Sequence, residues 1–342
     1  MSYATRSPRW ARCSGLAALL LPALALAARG YVSNEDDGTV SVVDTEQLQV
    51  LATVPVGKRP RGMVLSADGA RLYVAVTGVP KCPPPLTDEQ CAKLHRDRHA
   101  DGVAVLDTRT MRLMRTLAAG SDPERVELSR DGRALFATNE DAARVSVVDL
   151  ARERVAATFP VGREPEGVRL APNGQWLLVT SEADNTVTIA DAQGRHVLHT
   201  VLVGTRPRDL AFAPDSSNAF VSGEGDATVY KVALPNGAPA TRLLQLPREL
   251  KPMGVVFDAP RGRLYVTTGH GASVAVVSPA GNLERQVAVG GRPWGLALTP
   301  DGRRLLTANG PVANVTVIDA ATLAVLGRIT VGHGAWGVVC GP

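Results

Sequence analysis

Aromatic side chains make up only 4% of this 342-residue chain. A core built on large rings is therefore excluded, and Val, Ala and Leu on short strands between Gly and Pro turns must fill it instead. Histidine is sparse, with six residues scattered at 95, 99, 196, 199, 270 and 333. There are four cysteines, at 13, 82, 91 and 340. No G-x-S-x-G elbow, H-E-x-x-H pair, C-x-x-C-H haem site or glycine-rich phosphate loop occurs, so the common local catalytic motifs are missing. No stretch shows 3.6-residue apolar periodicity, which argues against a helical solenoid. The one long apolar run, Leu16 to Leu26, is about half of the ~20 residues that span a bilayer.

That run follows Arg6, Arg9 and Arg12 and ends in Ala25, Ala27 and Ala28, the order of a cleaved export leader. The sequence predicts a signal peptide over 1–27 and a mature protein over 28–342, periplasmic or secreted. Cys13 precedes the apolar run and is badly placed for lipid modification after cleavage. Losing three arginines and no acid lowers the formal charge from +4 to +1. A near-neutral body gives no reason to expect nucleic-acid binding.

The rest of the chain repeats. The phrase Gly-x-x-Pro, a short apolar segment and a turn recurs around Pro60, Pro123, Pro165, Pro207 and Pro293, with a degenerate copy at Pro252 and Ala335 in the last copy. Successive spacings are 63, 42, 42, 45, 41 and 42 residues. Each copy then shows an apolar strand such as RLYVAV or WLLVTS, a polar turn, a strand such as RVSVVD, and a last strand that ends at the next Gly. Four short strands per ~40 residues predict an all-β fold, a seven-bladed β-propeller of four-stranded antiparallel blades. YVSN at 31–34 matches a second strand, and WGVVCGP at 336–342 matches a first strand. The predicted closure is therefore one-plus-three, with the last strand completing the first blade.

These copies resemble YVTN-type repeats. The ordered motifs RPRG (59–62), DPE (122–124), TNED (138–141), PEG (165–167), TSE (180–182), RPR (206–208), KPMG (251–254), RPWG (292–295), TANG (307–310) and WGVV (336–339) resemble the PQQ-dependent-catabolism-associated β-propeller proteins. That resemblance covers the whole mature chain. It implies an exported propeller associated with quinoprotein alcohol oxidation and ABC transport, and no established activity. The insert at 79–101 departs from the pattern.

In a propeller the loop entering each first strand and the turn between the second and third strands share one face. Arg59, Arg61, Asp122, Glu124, Glu164, Glu166, Arg206, Arg208, Lys251, Arg292, Trp294 and Trp336 make one set there. Asn34, Glu35, Asn139, Glu140, Ser181, Glu182, Glu224, His270 and Asn309 make the other. Arg and aromatics are enriched at protein interfaces, so the expected binding face is Arg59, Arg61, Glu124, Glu140, Glu166, Glu182, Arg206, Arg208, Arg292, Trp294 and Trp336. The alternative is that these charges pair with one another and cap a watery channel. A metal site formed by the repeated glutamates is disfavoured, because repeat symmetry spreads them around a circle.

The insert carries Cys82 and Cys91, expected as a disulfide. A short helix from Thr87 to His99 is predicted, with Thr87 as its cap. A competing reading joins Cys82, Cys91, His95 and His99 in a metal or redox site, although the spacing fits no common zinc pattern. Cys340 is expected as an inert core thiol. The functional expectation is a non-catalytic scaffold, with no cofactor, that docks on an envelope protein such as a quinoprotein dehydrogenase or a transport component. The alternatives are a lactonase-like hydrolase at the channel mouth and a metal or redox accessory protein acting through the insert.

Overall fold

A computed structural model describes residues 1, 28–82, 85–91, 93–193 and 196–341. Residues 2–27, almost all of the expected leader, lie outside them. The chain forms seven four-stranded antiparallel sheets. It is a seven-bladed β-propeller. The inner strands Met63–Leu65, Pro123–Leu128, Pro165–Leu170, Pro207–Phe212, Pro252–Asp258, Pro293–Leu298 and Ala335–Gly341 neighbour one another around the central axis. Arg29–Asn34 pairs with Ala335–Gly341 on one side and with Thr39–Asp44 on the other. Blade 1 is therefore made from both ends of the described chain, and blades 2 to 7 follow in sequence order.

The second strand of each blade is buried on both faces, as the apolar runs LYVAV (72–76) and LLVTS (177–181) illustrate. Apolar contact falls into seven clusters, one between each pair of adjacent blades. Tyr31, Val40 and Val42 of blade 1 meet Leu72, Val74 and Leu106 of blade 2. Leu306, Val315 and Ile329 of blade 7 meet Val32, Val43 and Val338 of blade 1. No blade can bury its faces alone, so stability is shared around the ring.

Hydroxyl groups tie neighbouring blades together in a repeated way. The inner strands of blades 1 and 3 to 7 lose register shortly after their first residue, which frees a backbone N–H. In blade 4, Gly167 N donates to Thr180 Oγ1 at 2.7 Å. Thr180 Oγ1 then donates at 2.9 Å to the carbonyl of Arg208 in blade 5. Thr267 repeats this between Gly254 N and the Trp294 carbonyl. Ser33, Thr138 and Ser222 do the same toward the carbonyls of Arg61, Glu166 and Met253. Blades 2 and 7 carry Ala75 and Ala308 at this position.

The outer strands share another irregularity. In every blade one residue of the outer strand bulges out of the ladder, so that its neighbours pair and it does not. These residues are Leu51, Met114, Ala156, Leu198, Leu243, Glu284 and Leu326.

Candidate functional site

The site sits at one mouth of the central channel. Just before the inner-strand proline, Arg59, Asp122, Glu164, Arg206 and Lys251 have left-handed φ values of 43°, 50°, 53°, 56° and 52°. Gly334 takes the matching place in blade 1 at 69°. Holding five non-glycine residues in this region is unfavourable, by roughly 1–2 kcal/mol each. The kink in these six blades turns the entering loop into the inner strand at the rim.

The charges there are consumed by one another in two clusters. In the first, Arg59 Nε and Nη2 donate to Glu35 Oε1 at 3.0 and 2.8 Å. Arg61 pairs with Glu124, lies 3.2 Å from Glu140 Oε2 and is 3.5 Å from Glu35 Oε1. In the second, Arg208 pairs with Glu166 and Glu182, and lies 2.7 Å from Glu224 Oε2. Arg206 reaches Glu182 at 2.5 Å, and Arg292 reaches Glu224 at 3.5 Å.

Between the clusters, Trp294 and Trp336 stack with centroids 6.3 Å apart. Arg292 lies 4.6 Å over the first ring and Arg125 lies 5.1 Å over the second. Deeper in the channel, Asp209 is 3.5 Å from both Arg125 and Arg169, and Arg169 lies 4.0 Å from Glu127. A cavity of about 20 Å³ touches Arg125, Glu166, Arg208, Asp209 and both tryptophans. That is room for roughly one water.

The electrostatics follow from crowding. Burial pushes the Glu182 carboxyl up to about 8, and the neighbouring Glu166 adds to the rise against Arg208 and Arg206. Burial likewise takes Glu140 to about 7, with Arg61 opposing and Glu166 and Asp122 reinforcing. Burial also acts on Glu224, but Arg208 and Arg206 overcome it and hold the group below its ordinary value. Arg61, Arg59 and Lys81 do the same for Glu35. Asp209 is held low by Arg125 and Arg169 in spite of its burial.

Several expectations change. Arg61, Glu35, Asp122, Glu124, Glu166, Glu182 and Trp336 are buried rather than displayed, because each packs against an oppositely charged or aromatic partner. Arg206 and Glu164 remain exposed, while Arg59, Arg208, Arg292, Trp294 and Glu140 are half-buried. Glu166, an inner-strand residue outside the repeated turn glutamates, lies close enough to act on both Glu140 and Glu182. Among the described residues, no group of three or more His, Cys, Asp or Glu side chains is arranged to hold a metal ion. Asn34, Asn139 and Asn309 are buried. Asn34 and Asn309 each brace their own hairpin through two amide donations of 2.8 to 2.9 Å. The charged layer of Arg125, Glu127, Arg169 and Asp209 was missed. Its signal is charge at alternate positions within otherwise apolar inner strands.

The insert leaves blade 2 between its second and third strands, Arg71–Val76 and Gly102–Asp107. Cys82 and Cys91 form a disulfide with Cα atoms 5.3 Å apart, so neither sulfur is a thiolate. The predicted helix is a single turn, Asp88–Cys91. Thr87 caps it: Gln90 N donates to Thr87 Oγ1 at 3.3 Å, and Gln90 Oε1 accepts from Thr87 N at 2.9 Å. The helix stops there because the chain must return to the blade, where Asp97 N donates to the Gly78 carbonyl. His95 and His99 therefore do not share a helical face.

Salt bridges pin the insert on both sides. Lys81 pairs with Asp36 and Glu35 of blade 1, and Arg96 lies 2.5 Å from Asp141 of blade 3. A groove of about 540 Å³, lined by Glu35, Asp36, Arg59, His95 and Asp97, runs between the insert and blade 1. Cys340 is half-buried by surface area, yet its sulfur packs on the blade 7–blade 1 cluster, and burial pushes the thiol up to about 12.

Comparisons with known proteins agree on the architecture. A family model for YNCE-like β-propellers matches residues 85–172. No curated protein gives a significant sequence match. Among solved structures, a protein of Lactobacillus plantarum is similar with a TM-score of 0.74 and 18% identity, over 93% of this chain and 100% of that one. A candidate 6-phosphogluconolactonase of Bacteroides fragilis is similar at 0.73 and 16%, over 94% and 100%. Hydrazine synthase of Kuenenia stuttgartiensis is similar at 0.64 and 18%, over 82% and 89%. At these identities the likeness is one of fold, and the chain is a β-propeller protein.

Proposed function

We propose that this chain is an exported binding propeller that docks on an envelope protein through the channel rim and the insert. One observation carries the reading. The mouth's buried charges neutralise each other around space for about one water, whereas the insert stands on the rim, stapled by Cys82–Cys91 and pinned to blades 1 and 3. Small-molecule sites usually offer ≈ 300–1,000 Å³, and the rim space of that size, about 540 Å³, lies beside the insert rather than in the channel. The disulfide accords with an oxidising compartment. No helix among the described residues is long and apolar enough to cross a membrane. The sequence resemblance points to a quinoprotein dehydrogenase or a transport component as the partner.

The test is capture from the native envelope by the full chain and by a variant lacking 79–101. Val76 pairs with Gly102, so the deletion leaves a two-residue turn, Thr77–Gly78. A partner held by the full chain and lost from the variant supports docking. Equal capture by both overturns it.

A second reading rests on Glu182, whose carboxyl stays protonated near neutral pH beside Glu166. Such a split pair suits general acid catalysis. It supports a lactonase-like hydrolase if the mouth opens. Turnover of 6-phosphogluconolactone that is abolished by Glu182→Gln would replace the binding reading with this one.

A further inference from the structure

The face opposite the mouth holds a cleft of about 930 Å³ between blades 3 and 4. Its volume lies in the range of small-molecule sites. Two truncated side chains create it. The outer-strand bulge residue is Leu51, Met114, Leu198, Leu243, Glu284 or Leu326 in six blades, and Ala156 in blade 3. The first residue of the second strand is Arg29, Arg71, Trp176, Asn218, Arg263 or Arg304 in those six blades, and Ala134 in blade 3. Both alanines line the cleft. The other blades carry larger side chains at these two positions, and in blade 3 the cleft lies above Phe136 and Val147.

The rim is basic. Arg130, Arg133 and Arg152 all line it. Arg133 makes no side-chain hydrogen bond or ion pair among the described residues, and Arg130 has one bond, to the Asn173 carbonyl. The two lining carboxylates are already occupied. Asp131 accepts from Ser129 Oγ and Arg133 N, and Asp149 accepts from Ala151 N, Arg152 N and Arg152 Nη1. An apolar floor beneath guanidinium groups with open donors selects a particular chemistry. The floor takes a flat hydrocarbon body, and the arginines take carboxylate or sulfonate oxygens in pairs.

We infer that this cleft binds a small organic anion with a flat apolar body, on the face away from the rim and independently of it. The test uses 8-anilinonaphthalene-1-sulfonate, followed by fluorescence titration with the full chain. One site per chain is expected. Ala156→Leu, which installs the residue of blades 1, 4, 5 and 7, should weaken binding at least tenfold by filling the floor. Arg133→Ala with Arg152→Ala should weaken it comparably. The neutral N-phenyl-1-naphthylamine should bind at least tenfold more weakly than the sulfonate. If Ala156→Leu does not fold, Ala134→Trp, the residue of blade 4, serves in its place. Absence of probe binding, binding unchanged within twofold in the filled variant, or equal affinity for the neutral probe would overturn the assignment.

Discussion

Thr180→Val is the sharpest probe of what joins the blades. Valine has the shape of threonine, and the site is fully buried, so the substitution changes hydrogen bonding with little change in packing. Thr180 Oγ1 accepts from Gly167 N and donates to the Arg208 carbonyl. The variant orphans both groups inside the ring. Each hydrogen bond is worth about 1 kcal/mol net, and each buried unsatisfied group costs about 1–3 kcal/mol. We expect a loss of about 3 kcal/mol. At about 2 °C per kcal/mol for a chain longer than 150–250 residues, the thermal midpoint should fall by about 6 °C. Thr180→Ser keeps the hydroxyl and loses one methyl, for about 1 kcal/mol. Urea and thermal unfolding of the three proteins at one pH decide the matter. If the valine variant is as stable as the parent, or the serine variant is the less stable of the two, the hydroxyl bridge does not hold the ring.

Three further outcomes follow from the mouth and the insert. Glu182 and Glu140 bind protons more tightly in the folded chain, at about 8 and about 7, than at their ordinary 4.5. The folded state then holds the extra protons between those limits, so stability falls as pH rises from about 4.5 to 8; Glu182→Gln should flatten most of that decline in urea midpoints taken at pH 5 and pH 9. Below that window, protonating the depressed Glu35, Glu224 and Asp209 lowers stability from the acid side. Arg208→Met should cost about 3–5 kcal/mol, since it removes the cation shared by Glu166, Glu182 and Glu224 in a buried site, whereas Arg206→Ala at the exposed rim should cost about 1 kcal/mol or less. Cys91→Ser should leave the global midpoint nearly unchanged and speed tryptic cleavage at Lys93 and Arg96, because the opening is confined to the insert.

Much of the fold was legible because its determinants are local. Each Gly-x-x-Pro entry, each Asp-Gly turn and each run such as RLYVAV reports a strand or turn from a few adjacent residues. The disulfide was legible for the same reason. The state of the mouth was not. Whether Glu182 is displayed or buried depends on Arg206 and Arg208, which come from the next blade, as well as on Glu166 of its own, and no one repeat contains that information. Asn34 and Asn309 looked like rim residues because they end their strands, but the hydroxyls that accept from them, Thr39 and Ser41 or Thr316, sit on the adjacent strand. The helix from Thr87 was read correctly at its start, where capping is local, and too long at its end, where the disulfide and the return to Gly78 decide. The cleft of blade 3 was visible only by comparing Ala134 and Ala156 with their six counterparts once the bulges had set the register.

The antiparallel seam in blade 1 sets how the molecule answers to tension. Arg29 sits opposite Gly341, so traction on the two extremities of the described chain loads the hydrogen bonds between these strands one pair at a time, as in a zipper. Seven inter-blade clusters resist heat and urea together, yet a modest pull applied there can part the ring at a single place.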